Sequence, residues 1–187
     1  MVILDRDYRS KDEVDAIKKE TAKFSNRVVV HDRKEIENFL LNSSAIERAA
    51  IRRVEDRRAR GAVVKDYSLD VGGILEKFSE NRRAYVQSRC IALRQRFAKS
   101  TGTTTHSDQV TQDAIVEFDS RWALSDVRRR MIPGKDALSD INRDLQENLN
   151  VSVTPSAIVA AMTLDEIPGE LKNLINDIGK FSRSQPD

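Results

Sequence analysis

The chain has 187 residues, 33% of them charged and 39% hydrophobic, with 7 Gly, 4 Pro and a formal net charge of +2. Such a composition excludes a many-turned all-β fold and a global basic field, so any nucleic-acid surface must be local. A single cysteine, Cys90, excludes an internal disulfide and makes a reducing cytoplasm the default compartment; the absence of a long apolar run argues against a membrane span.

Met1-Val2-Ile3-Leu4-Asp5-Arg6-Asp7 reads as a short buried strand ending in carboxylates, with no signal peptide. Residues two apart share a side of a strand. If both stay extended, Asp5 and Asp7 present two hard oxygen ligands at the carboxyl end, where open α/β sheets build their sites. That pair suits Mg²⁺ or Mn²⁺. The alternative is that the aspartates cap a turn or the next helix.

Ser10-Lys11-Asp12-Glu13 is a capping box, and Val14, Ile17 and Phe24 fall near one helical face. Val28-Val29-Val30 reads as a strand buried on both faces. Strand, helix, strand implies a parallel crossover. Two strands make a poor independent sheet, so the sequence looks like part of a larger α/β domain whose first half lies outside it.

Glu35 and Glu37 follow the second strand. If the strands are parallel neighbours, these acids approach Asp5 and Asp7, and four carboxylates together need a cation among them. The alternative is a solvated first helical turn. From Asn42 to about Lys99 the pattern is helical. One helix carries Arg52, Arg53 and Arg57 on a face that either tracks phosphates or is solvated and ion-paired, and Gly61 ends it. Two more helices are predicted, over Leu69–Phe78 and Glu80–Ala98, with Cys90 a small core residue rather than a nucleophile.

Residues 100–106 form a polar loop without the spacing of a phosphate loop. Helices are predicted through Val110 to Trp122, up to Arg128-Arg129-Arg130, and from Lys135 after the Pro133-Gly134 turn. A lysine at a helix N-terminus suits a phosphate; the bland reading is one more surface lysine. Thr154-Pro155 and Thr163-Leu164-Asp165-Glu166 are further helix starts. Leu171, Leu174, Ile175 and Ile178 form a last amphipathic stripe before a polar tail.

Three stretches, in this order, resemble a known family: Val2-Ile3-Leu4-Asp5-Arg6-Asp7, then Arg33-Lys34-Glu35-Ile36-Glu37-Asn38-Phe39-Leu40-Leu41, then Pro133-Gly134-Lys135. They are similar to the C-terminal part of Toprim (topoisomerase–primase) domains, of the type attached to ABC-type ATPases in OLD-family nucleases and related antiphage defence proteins. Phe39 stands where that family usually has Tyr. The resemblance implies a partial, Rossmann-like α/β core over 1–41 with a small parallel sheet. A helical insertion over 42–132 and a C-terminal helical segment over 133–187, packing back on the core, make up a predominantly α-helical remainder.

The resemblance also implies roles. Asp5 and Asp7, with Glu35 and Glu37, match the Mg²⁺ or Mn²⁺ ligands of a DNA endonuclease, and Lys135 matches the lysine that steadies charge at the scissile phosphate. ATP enters only through a separate ATPase domain or chain, and a homo-oligomer is compatible with the family. Toprim domains carry a further glutamate on an earlier strand, before the point where this sequence starts, so the chain alone is expected to bind metal poorly. The alternatives are a non-catalytic helical interaction module and a basic nucleic-acid-binding remnant using Arg52, Arg53 and Arg57.

Overall fold

The structure, a computed structural model, describes residues 1–183; the polar tail of the last four residues lies outside them. Strands β1 (Val2–Leu4) and β2 (Val28–Val30) are joined through helix α1 (Lys11–Thr21). They pair in parallel, with Val2 opposite Val28, Ile3 opposite Val29 and Leu4 opposite Val30. Parallel strands require such a crossover because a tight turn returns the chain in the opposite direction. The Ser10 box forms as read: the Ser10 hydroxyl accepts the Glu13 N–H at 3.2 Å, and the Glu13 carboxylate accepts the Ser10 N–H at 2.8 Å.

Two readings here need correction. The β2 valines are only half-buried, because the sheet stops at two strands among the described residues. Phe24 lies past the end of α1 and is 77% exposed, so it belongs to no helical face.

A 3₁₀ turn (Ile36–Leu40) leads to α2 (Ser43–Ala59), where the Asn42 side chain accepts the Ala45 N–H at 2.9 Å. Gly61 ends α2 with a left-handed φ of 81°, where a side chain would be strained. The next element is one unbroken helix, α3 (Val71–Ser100), in place of the two predicted. Ser79 looks like a break, but its buried hydroxyl donates to the Leu75 carbonyl at 2.7 Å and is satisfied inside the helix.

Helix α4 (Ser107–Trp122) runs antiparallel to α3, since Arg83 reaches Asp119 while Gln95 reaches Thr111. Then come α5 (Ser125–Met131), α6 (Gly134–Leu149), α7 (Pro155–Ala161) and α8 (Gly169–Arg183). Pro155 takes the first position of α7 after the Thr154 cap. The Thr163–Glu166 box closes only a 3₁₀ turn (Leu164–Glu166), and α8 starts beyond Pro168.

Ile46, Leu75, Ile132, Ile141, Leu145 and Ile158 are fully buried, bringing α2, α3, α6 and α7 into one core. The same buried cluster takes in Tyr8 and Leu41, so it draws on all three expected segments. Of the last stripe, Leu174 is buried while Ile175 and Ile178 are exposed. The chain is thus mostly helical with a small parallel sheet, and no helix among the described residues is long and apolar enough to cross a membrane.

Candidate functional site

The pairing of β1 and β2 continues past both strands. His31 N–H donates to the Leu4 carbonyl at 3.3 Å, Arg6 N–H to Arg33 at 3.1 Å and Asp7 N–H to Lys34 at 3.1 Å. The two segments leaving the sheet therefore run side by side. They carry Asp5, Asp7, Glu35 and Glu37 to the same end of it.

Asp5 sits one residue past Leu4, with Oδ1 at 2.8 Å from His31 Nε2. The His31 side chain is 1% exposed. A carboxylate only accepts, so Nε2 carries a proton; Nδ1 is buried without a partner among the described residues.

Asp7 departs from the strand geometry. Its φ of 52° is left-handed, a conformation aspartate adopts more readily than most residues. The two carboxylates therefore do not share an extended face. Asp7 Oδ2 accepts from Arg9 Nη1 at 2.9 Å, and Oδ1 lies 4.0 Å from Lys34 Nζ.

Glu37 lies in the first turn of the 3₁₀ helix and Glu35 just ahead of it, but neither is solvated: their side chains are 24% and 12% exposed. Glu35 is the extended residue before the 3₁₀ turn. The Lys34 ammonium bonds its Oε1, and the Lys135 backbone N–H donates to its Oε2 at 3.1 Å. Burial works to raise the Glu35 pKa, but the two hydrogen bonds and the charges of both lysines outweigh it and hold the carboxyl below its ordinary value. Glu37 Oε1 lies 3.6 Å from Lys135 Nζ, while its Oε2 is buried without a hydrogen-bond partner among the described residues.

Lys135 reaches this place because α6 starts hard against the 3₁₀ turn. Asn38, 2% exposed, accepts the Glu35 N–H at 2.9 Å and donates to the carbonyls of Arg129 at 2.8 Å and Ile132 at 2.9 Å. A Cβ at Gly134 would stand 2.9 Å from both the Asn38 amide nitrogen and its Oδ1. Only glycine allows that approach.

Asp7, Glu35, Glu37 and Lys135 thus form one chain of charges through Lys34, with Asp5 beside it on His31. Arg52, Arg53 and Arg57 belong elsewhere. Arg52 donates to the Ala160 carbonyl at 3.3 Å and Arg57 to that of Asn150 at 2.8 Å, fastening the ends of α7 and α6 to α2; Arg53 is exposed. Cys90 is half-buried, and burial pushes its thiol up to about 11, away from nucleophile chemistry.

Three contributing residues escape the sequence reading. His31 follows Val30 as Asp5 follows Leu4, so the parallel register alone pairs them. Lys34 meets Glu35 within its own segment and Asp7 across the pairing, and Asn38 carries no such signal because its two carbonyl acceptors, Arg129 and Ile132, lie on and just after α5.

The carboxylates are hard donors of the kind Mg²⁺ takes. Among the described residues, however, no group of three or more His, Cys, Asp or Glu side chains could hold a metal ion. The residues fit in kind and fall short in number. Comparison with protein-family models, with curated proteins and with solved structures finds no match for this chain.

Proposed function

We propose that this chain is half of a metal-dependent DNA endonuclease of the Toprim type, partnered with an ABC-type ATPase domain or chain, with a further glutamate supplied from outside these residues. What supports the reading is one arrangement: the parallel strand pair sends Asp5, Asp7, Glu35 and Glu37 off its carboxyl end, and Lys135 packs against Glu35 and Glu37 there. The unpartnered Glu37 Oε2 adds a buried oxygen with capacity for a cation.

In this reading Asp5 and Asp7 lend ligands, with Glu37 and less directly Glu35 on the opposite side. A bound divalent cation supplies Lewis-acid stabilisation of the phosphodiester oxygens. The chain's own part is positional. The hydrogen bonds and charges of Lys34 and Lys135 hold the Glu35 carboxyl below its ordinary value against burial, and the Lys135 ammonium stands 3.6 Å from Glu37.

The test is plasmid cleavage in Mg²⁺ or Mn²⁺ by the chain, with and without any in-frame segment encoded upstream of residue 1. Cleavage that needs the upstream segment and is lost in Asp5→Ala/Asp7→Ala, with DNA binding retained, is the expected result. Cleavage that persists in the double variant removes Asp5 and Asp7 from the site. The second reading is a non-catalytic helical module, favoured by the side-chain cations that already face Asp7, Glu35 and Glu37. It is the outcome if neither form cuts.

A further inference from the structure

On the other side of Asn38, a cavity of about 270 Å³ opens between the 3₁₀ turn, α5 and the N-terminus of α2. Arg33, Arg129, Arg130, Ser43 and Ser44 line it. Three polar atoms of these residues are buried without a hydrogen-bond partner among the described residues: Arg33 Nε, Arg129 Nε and Ser43 Oγ. Native interiors rarely leave such donors unmade; all three atoms are closed to a water-sized molecule, so a ligand in the cavity meets them only as the side chains turn toward it.

The nearby carboxylates do not supply it. Glu170 Oε2 stands 3.6 Å from Arg33 Nε, Asp32 Oδ2 is 3.5 Å from Arg130 Nη1, and Glu76 Oε1 is 3.6 Å from Arg129 Nη2. Charge-assisted hydrogen bonds run to about 2.7–2.9 Å, so all three are loose. Each of these acids has its tight bond elsewhere: Asp32 with Arg6, Glu76 with Arg128 at 2.5 Å, and Glu170 with the Asp32 backbone N–H. The cavity arginines are second partners, left with donors and charge to offer.

Two acids also line the cavity. Glu166 is held by Arg48 and by the Thr163 N–H at 2.8 Å, and Asp126 is exposed on α5. Burial lowers the Arg33 pKa from its ordinary value; Glu170 opposes this, Arg130 adds to it and Asp126 opposes it. The first-turn amides of Ser43 and Ser44 have no carbonyl within α2 to bond, and the helix dipole favours negative charge there.

We infer that this cavity binds a phosphate group, gripped by Arg33, Arg129 and Arg130 and by the Ser43 hydroxyl at the start of α2. Guanidinium forks match phosphate oxygens bidentately, and the cavity is smaller than the roughly 300–1,000 Å³ of sites for drug-sized ligands. The group is either free phosphate or the phosphate of a nucleic-acid strand. The inference needs no metal and holds whether or not the chain cuts DNA.

Calorimetric titration of the full chain with inorganic phosphate, against chloride at matched ionic strength, tests it. A second arm measures fluorescence anisotropy of a single-stranded oligonucleotide with and without a 5′-phosphate. Saturable phosphate binding is expected, weakened about tenfold or more in Arg129→Gln and severalfold in Ser43→Ala. Ser43→Ala removes only an unbonded hydroxyl and leaves the ion pairs of Arg129 intact, so it is the variant that keeps the fold. A preference for the phosphorylated oligonucleotide, lost in the same variants, identifies a strand end; phosphate binding without that preference identifies the free ion. No binding beyond chloride, or binding unchanged in both folded variants, overturns the inference.

Discussion

The Glu35 carboxylate accepts the backbone N–H of Lys135 at 3.1 Å, joining positions 100 residues apart. That bond fixes the start of α6 to the end of the sheet, and with it Lys135, whose ammonium faces Glu37.

The Glu35 carboxyl, though burial works to raise it, is held below its ordinary value by its hydrogen bonds to Lys34 and Lys135. A depressed carboxyl contributes stability above its unfolded pKa and loses it as pH falls through the folded one. Urea midpoints measured from pH 7 down to pH 3 should therefore drop below about pH 4.5 in the native chain. Glu35→Gln should lower the midpoint at pH 7, by roughly 1–3 kcal/mol of lost charged hydrogen bonding, and flatten the acid limb. An unchanged acid limb in that variant would mean Glu35 carries none of it.

Gly134→Ala should destabilise the fold by roughly 1–3 kcal/mol, because the added carbon would stand 2.9 Å from Asn38 backbone and side-chain atoms. A calorimetric melt decides it; a melting temperature equal to the native one would show that the contact relaxes freely.

Asn38→Ala removes three hydrogen bonds from a side chain in a residue that is 2% exposed. The cost should exceed that of Glu35→Gln and reach about 3 kcal/mol or more, since the Arg129 and Ile132 carbonyls lose their donor. Equal unfolding free energies for the two variants would contradict the ranking.

Asp5→Ala should cost about 1–3 kcal/mol by leaving the buried His31 Nε2–H without an acceptor. Asp5→Ala combined with His31→Phe should recover part of that loss, since neither polar partner then remains. A double variant no better than Asp5→Ala would indicate that His31 is held by packing against Phe39 rather than by its hydrogen bond.

The local devices of the fold were readable residue by residue. The Ser10 box, the Gly61 stop, Pro155 at the first turn of α7 and the parallel crossover all follow from short-range rules. The site was readable only in outline. Alternation predicts that Asp5 and Asp7 point the same way, and the left-handed turn at Asp7 defeats it. Charge at Glu35 and Glu37 suggests solvation, yet the start of α6 lies over them. Ser79 suggests a helix end and instead satisfies itself within α3. In each case the deciding partner is remote along the chain, where periodicity has no reach.

The close seat of Gly134 on Asn38 has a further consequence for how this end of the sheet could receive a ligand. Gly134 packs directly on the Asn38 backbone and side chain, and Asn38 bonds the Arg129 and Ile132 carbonyls just ahead of α6, so the start of α6 is tied to the 3₁₀ turn. Adjustment to an incoming group falls to the long, exposed stem of Lys135, since Lys34 is enclosed and bonded to Glu35, which makes induced fit here a matter of one swivelling ammonium over a stationary frame.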